Sequence, residues 1–194
     1  MSYKIGITGG IGAGKTLVAS IFAILNVPVY NADERAKALM IGDEPTKESI
    51  INLLGPGSYL SNGQLNSKYI AEKVFPDPWL LNHLNAIVHP AVARDYHAWH
   101  SNQSSAVYTL KEAALLFDAG SFLTMDAIIV VSASEEIRIQ RVMRRDQSSR
   151  ESVQSRIERQ WPEERRLQMA DFVIKNEETL PLIPQILTVH RSLK

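Results

Sequence analysis

Apolar residues along the chain follow two different periods, and their alternation predicts the order of the secondary structure elements. Short runs rich in β-branched and other apolar residues predict five strands, at 3–8, 27–30, 106–112, 126–133 and 171–176. Between most of these runs, apolar residues recur at helical spacing, as in the segment from Leu17 to Leu25. Strands separated by helices predict an α/β fold with a parallel sheet and right-handed crossovers.

The stretch between the second and third strands is helical and too long for an ordinary connection. We therefore expect one domain, 1–194, with an inserted helical lobe at 34–105. The core would comprise 1–33, 106–135 and 163–194, and 136–162 would form a helical lid. Within the lobe, the pattern predicts that one helix ends at His89-Pro90 and that another follows.

The loop after the first strand carries the strongest chemical signal in the chain. Its residues match G-x-x-x-x-G-K-[ST] in full: Gly9, Gly10, Ile11, Gly12, Ala13, Gly14, Lys15 and Thr16. We call residues 9–16 the phosphate loop. Glycines let backbone N–H groups turn toward a phosphate, and the following helix adds its positive N-terminus. Lys15 would reach the β- and γ-phosphates of a purine nucleoside triphosphate, and the Thr16 hydroxyl would ligate Mg²⁺. The alternative is a glycine-rich turn beside a structural lysine, although the strand and helix around the loop favour the phosphate site.

Arginines are concentrated in one part of the chain. Nine of the twelve lie between Arg138 and Arg166, a segment without lysine whose five carboxylates leave a net charge of about +4. Arginine alone is typical of planar, bidentate contacts with phosphate. The segment predicts a hairpin of two helices that closes over the triphosphate; the alternative is a solvated hairpin with weak surface ion pairs.

Composition excludes several other classes. Apolar residues make up 45% of the 194 residues, which is enough for a core. The formal net charge is zero, so nothing indicates binding to nucleic acid or to a membrane surface. The absence of cysteine excludes disulfides and thiolate metal sites and favours a reducing setting. No apolar run is long enough to span a membrane. We expect a cytoplasmic protein, and a monomer.

Several motifs together make the chain similar to the dephospho-coenzyme A kinase family. They cover nearly the whole chain in order: "GITGGIGAGKT", "NADERAKAL", "LNAIVHP", "KEAALLFDAG", "RVMRRD" and "ADFVIKN". The resemblance implies a P-loop kinase fold with a five-stranded parallel sheet, a helical substrate lobe and a lid. It also implies transfer of a phosphoryl group from ATP, with Mg²⁺, to the ribose 3′-hydroxyl of dephospho-coenzyme A.

The resemblance also implies roles for single residues. The catalytic aspartate falls on Asp33, which would act with Lys15 and Arg141. Arg141, Arg145 and Arg166 would bind the nucleotide, as would the phosphate loop and Leu17.

Three further residues are expected near the substrate: His89, Glu112 and Asp118, with Glu112 also near Mg²⁺ through a water. Glu112 could instead form an ion pair with Lys111.

The chain departs from the family's usual pattern at several positions. Asn31 stands where a first aspartate is common, and Leu17 where a second hydroxyl is common. Asn31 and Glu34 also resemble a capping box, in which case Asp33 would only favour the helix dipole.

Two other functions stay open. One is another small-molecule kinase with a phosphate loop, of the nucleoside monophosphate or gluconate type. The other is an ATP-binding module without catalysis. A GTPase would need N-K-x-D, which the sequence lacks.

Overall fold

The computed structural model describes residues 2–194. Their contacts form two compact units. The first comprises the chain up to Asn31 together with His100–Lys194, and the second is Ala32–Trp99.

The first unit is built on a five-stranded parallel sheet, which confirms the predicted α/β class. The strands are β1 (Tyr3–Thr8), β2 (Val29–Asn31), β3 (Tyr108–Glu112), β4 (Ala127–Ser132) and β5 (Phe172–Lys175). Their order across the sheet is β2-β3-β1-β4-β5. Each predicted strand is present, and every strand end lies within two residues of the position that the pattern indicated.

Nine α-helices occur in residues 2–194. They are α1 (Lys15–Ile24), α2 (Ala32–Gly42), α3 (Glu44–Leu54), α4 (Ser67–Val74), α5 (Pro78–Ser101), α6 (Glu135–Asp146), α7 (Arg150–Glu158), α8 (Glu163–Gln168) and α9 (Leu182–Ser192). None of the helices in this described range is long and apolar enough to cross a membrane.

The core of the first unit lies between the sheet and helices α1 and α9. Ile7 of β1, Ile129 of β4 and Phe22 of α1 are completely buried. Burying an apolar side chain of this size contributes about 1.5–3 kcal/mol, so the centre of the sheet is a rigid base for the loops at its edge. The strand register places Ile7 beside Glu112. The carboxyl ends of β1 and β3 therefore meet where the phosphate loop begins.

The break predicted at His89-Pro90 is wrong, because α5 continues through both residues. Proline in a helix interior removes one backbone hydrogen bond and costs about 3 kcal/mol or more. The buried residues Leu84, Val88 and Val92 lie on both sides of it along the helix. Packing of this apolar stripe outweighs the local preference of the proline.

The second unit contains α2, α3, α4 and most of α5. Arg35 of α2 donates two hydrogen bonds to Asp95 of α5, at 2.9 and 2.6 Å. The Tyr59 hydroxyl donates to the carbonyl of Met40 at 2.6 Å. These contacts join distant parts of this unit's sequence.

Candidate active site

The phosphate loop connects β1 to α1, as the sequence predicted. Gly14 has φ 91°, a left-handed conformation that glycine adopts without strain. A Cβ at Gly14 would lie 2.2 Å from Asn176 Nδ2, which donates to the carbonyl of Ala13 at 2.8 Å. Asn176 follows β5, so the last strand of the sheet fixes the loop's backbone where α1 begins.

Lys15 is half-buried and bends back over the loop. Its Nζ donates to the carbonyls of Gly9, at 3.1 Å, and Gly10, at 3.4 Å. An ammonium held over a loop with inward-facing amides is a mobile point charge suited to phosphate oxygens.

Thr16 and Glu112 meet at the other side of the loop. The Thr16 hydroxyl donates to Glu112 Oε1 at 2.7 Å, and Glu112 is only 6% exposed. A hydroxyl and a carboxylate are the oxygen donors that Mg²⁺ accepts from proteins when phosphates and waters complete its shell. Residues 2–194 contain no group of three or more His, Cys, Asp or Glu arranged to hold a metal ion by itself. The donors present fit Mg²⁺ that arrives with a nucleotide.

Arg166 lies against the loop and is held firmly by its surroundings. It is buried, its Nη1 donates to the carbonyl of Trp161 at 2.6 Å, and its Nη2 donates to Glu163. Trp161 itself stacks on Phe117, with ring centroids 5.2 Å apart, and on the guanidinium of Arg165. These contacts orient Arg166, whose Nε has no hydrogen-bond partner within the described chain.

Glu163 is the carboxylate of this cluster. Burial raises the pKa of Glu163. Hydrogen bonds from Arg166 and from the Ser132 hydroxyl, together with nearby positive charge, lower this pKa by more than burial raises it. The pKa of Glu163 therefore lies below its usual value. Ser132 Oγ donates to Glu163 Oε1 at 2.7 Å. Glu163 is therefore ionised near neutral pH and balances part of the arginine charge.

Arg141 and Arg145 belong to α6. Both line a cavity of about 260 Å³, together with Glu178 from the segment after β5. Arg141 Nη2 donates to the carbonyl of Asn176 at 3.1 Å, and its buried Nη1 has no partner among residues 2–194. Arg145 is exposed and donates to Asp146 at 2.7 and 3.1 Å. Arg141 thus keeps a donor without a partner in residues 2–194, close to Asn176, which holds the backbone of the loop. Arg145 is instead paired with a carboxylate on its own helix.

Three of the predicted residues belong to other parts of the chain than the loop and its arginine cluster: Asp118, Asp33 and His89. Asp118 is exposed after β3, and no hydrogen bond or ion pair within residues 2–194 joins it to the loop. Asp33 is exposed in the first turn of α2, and His89 is half-buried in α5; both belong to the second unit. Their roles stay predictions.

Three residues of the site were missed from the sequence: Arg138, Gln160 and Asn176. Gln160 Oε1 accepts a hydrogen bond from the backbone N–H of Ile11 at 2.9 Å. Arg138 is buried beside the loop at Gly10. One signal was available, since Arg138 lies four residues before the buried Val142 and so shares the apolar face of α6. Asn176 is the last residue of the "ADFVIKN" motif, which was the signal available for it, whereas nothing local marks Gln160.

A parallel sheet with a phosphate loop at its carboxyl edge, followed by an arginine-rich helical pair, defines a P-loop kinase fold. The particular family follows from the sequence. Residues 3–181 match the family model for dephospho-CoA kinase, and the chain belongs to that family.

Relatives and solved structures agree with this assignment. A dephospho-CoA kinase of Bacteroides fragilis (strain YCH46) is 36% identical over 187 residues, which cover 96% of this chain and 91% of the relative. A crystal structure of a Thermus thermophilus protein has a TM-score of 0.85 at 32% identity, with 99% and 96% of the chains covered. The structure of dephospho-CoA kinase from Campylobacter jejuni has a TM-score of 0.74 at 22% identity, covering 100% and 98%, and shows that the fold is shared.

Proposed function

We propose that this protein transfers the γ-phosphoryl group of ATP to the ribose 3′-hydroxyl of dephospho-coenzyme A, which gives coenzyme A and ADP. Membership of the family supports the reaction. One observation carries the proposal for the site. Buried guanidinium groups lie beside the phosphate loop, and some of their N–H donors have no hydrogen-bond partner among residues 2–194. Such donors are suited to the oxygens of a triphosphate.

The residues around the loop would divide the work of binding ATP. Backbone N–H groups of the loop would hold the phosphates, and Leu17 would continue this surface at the start of α1. Lys15 would exchange the carbonyls of Gly9 and Gly10 for phosphate oxygens. Arg166 and Arg141 would neutralise charge on the transferring phosphoryl group. Arg145 would contribute to this once its hydrogen bonds to Asp146 are broken.

Thr16 would hold Mg²⁺ directly, and Glu112 would hold it through a water. The ion supplies charge that offsets the phosphate oxygens and orients them. The hydrogen bond of 2.7 Å between the two side chains supports this assignment, because both oxygen ligands then lie close together.

Asp33 would orient the acceptor hydroxyl and accept its proton. A sugar hydroxyl is a very weak acid, and an aspartate has an ordinary pKa of about 3.9, so early removal of the proton is unfavourable. The loose transition state of phosphoryl transfer requires an aligned oxygen whose proton leaves late. His89 would shape the pocket for the acceptor, and Asp118 would help to orient it.

The test combines a panel of acceptors with one substitution. ADP release, measured by a coupled assay, should require dephospho-coenzyme A and should not occur with nucleoside monophosphates or gluconate. Asp33→Asn should lower kcat by about 10²–10⁴-fold, the range for general-base groups, and should leave ATP binding unchanged. Glu48→Gln, an exposed change in α3, is the matched control. Turnover of nucleoside monophosphates in place of dephospho-coenzyme A would overturn the proposal, and ATP binding without any stimulated transfer would favour a binding module.

A further inference from the structure

Arg138 is an arginine that the predicted site did not include, and its surroundings are unusual for a charged side chain. It lies on α6 and is only 3% exposed, whereas its basic neighbours Arg144 and Arg145 on the same helix are exposed. Arginine is almost never fully buried unless it is paired. Its partners in the fold therefore need to be identified.

The described chain satisfies only part of this guanidinium. Nε and Nη1 of Arg138 are buried and have no hydrogen-bond partner among residues 2–194. Nη2 lies 3.9 Å from Glu135 Oε2 and 4.0 Å from Glu163 Oε2, distances that allow ionic attraction but are too long for hydrogen bonds. Burial accordingly lowers the pKa of Arg138. A buried charge with two free donor groups indicates that a ligand supplies the missing acceptors.

The free donors lie against the phosphate loop. A Cβ built on Gly10 would lie 2.1 Å from Arg138 Nη1 and 2.9 Å from Arg166 Nη2. The two guanidinium groups therefore converge on the same short stretch of backbone, in the space that a side chain at position 10 would occupy. The carbonyl oxygen of Arg138 would likewise lie 2.5 Å from a Cβ on Gly12, so α6 is packed directly on the loop.

Two carboxylates lie near the two cations of this cluster, but Glu135 is exposed to solvent, and only Glu163 lies between the guanidinium groups. Arg138 and Arg166 share the carboxylate of Glu163, which is hydrogen-bonded to Arg166 and to Ser132. Arg166 also keeps a buried Nε without a partner in residues 2–194. Two adjacent cations with one carboxylate between them repel each other, and an anion with several oxygens relieves that repulsion.

We propose that Arg138 is a second phosphate-contacting arginine, which binds the terminal phosphoryl group of ATP together with Arg166. This inference depends on the proposed kinase function only for the identity of the nucleotide. Glu163 is a positioning residue in this arrangement, because it holds Arg166 directly and lies close to Arg138.

The test compares nucleotides that differ only in the terminal phosphate. Calorimetry with Mg²⁺ measures the affinity for the β,γ-imido analogue of ATP and for ADP. Arg138→Gln should weaken the analogue by about tenfold or more, the loss expected for a charged hydrogen bond, and should change ADP binding less than twofold. Arg144→Gln, an exposed change on the same helix, should leave both affinities unchanged.

Two results would overturn the inference. One is a folded Arg138→Gln protein that binds both nucleotides as the wild type does, and the other is an equal loss for both, which would indicate a role in loop shape alone. Should Arg138→Gln not fold, Arg138→Lys keeps the charge and loses the planar fork. A selective loss of the analogue by Arg138→Lys would then support the proposal, and unchanged binding would contradict it. Binding needs no acceptor, so a failure to phosphorylate dephospho-coenzyme A would refute the proposed function and leave this result intact.

Discussion

The Thr16 hydroxyl donates to Glu112 Oε1 across 2.7 Å, although 96 positions separate the two residues in the sequence. The parallel pairing of β1 with β3 makes this contact possible, because it places Ile7 beside Glu112. The phosphate loop then brings Thr16, at the start of α1, back to the same edge of the sheet. One buried carboxylate and one hydroxyl are thus within hydrogen-bond distance of each other at this edge of the sheet.

Replacing this carboxylate should change the requirement for metal. Glu112→Gln keeps the shape of the side chain and an oxygen that accepts from Thr16, but it removes the negative charge. We expect the Mg²⁺ concentration for half-maximal activity to rise by about 10–100-fold, the cost typical of groups that hold a metal through water. Titration of Mg²⁺ at saturating ATP measures this concentration, and Glu48→Gln, at an exposed position of α3, is the control. An unchanged Mg²⁺ curve would show that Glu112 has only a structural role.

The glycine that closes the phosphate loop gives a second prediction. Gly14 has φ 91°, and a Cβ there would lie 2.2 Å from Asn176 Nδ2. Gly14→Ala should lower the free energy of unfolding by about 1–3 kcal/mol through backbone strain, and should also weaken ATP binding because Asn176 must move. Gly42, the last residue of α2, is the control position, because a Cβ there would meet nothing within 4 Å. Gly42→Ala should leave the free energy of unfolding unchanged or raise it slightly. Thermal unfolding of both variants tests this, and equal melting temperatures would contradict it.

The sequence was sufficient for the sheet and for the loop, because both depend on local patterns. β-branched runs predicted every strand, and the full octet around Lys15 could be recognised without a fold. Thr16 and Glu112 were predicted separately from a motif and a strand end. What failed depends on contacts between distant residues: packing of α5 overrides Pro90, and the free donors of Arg138 are apparent only once α6 lies against Gly10.

Gln160 illustrates the same limit and leads to a third prediction. Its Oε1 accepts from the N–H of Ile11 at 2.9 Å, across 149 positions of sequence. Gln160→Glu preserves an acceptor of the same shape but adds a negative charge beside the phosphate loop. We expect ATP affinity to fall by roughly tenfold at low salt and by less at high salt, because Coulomb repulsion is screened. Gln168→Glu adds the same charge at an exposed position of α8 and serves as the control. A loss that does not depend on salt would point to altered loop geometry instead.

The C-terminal helix α9 should make the fold sensitive to mild acid. His190 is buried, its Nδ1 lies 2.6 Å from the Tyr108 hydroxyl, and its ring lies near Phe22. Burial, with a smaller effect from the charge of Lys194, lowers the pKa of His190. Burial also raises the pKa of Tyr108, so the phenol stays neutral across the range of interest.

The direction of the pH effect follows from these shifts. The unfolded chain takes up a proton at His190 near its ordinary pKa of about 6.5, whereas the folded chain takes it up only at lower pH. The stabilisation is therefore complete above pH 6.5 and is lost as the pH falls toward the lowered pKa of the folded state. Melting temperatures at pH 7.5 and 5.5 should differ more for the wild type than for His190→Gln, which cannot titrate. Because other groups titrate equally in both proteins, parallel pH dependences would mean that the His190 ring is protonated as easily in the fold as in water.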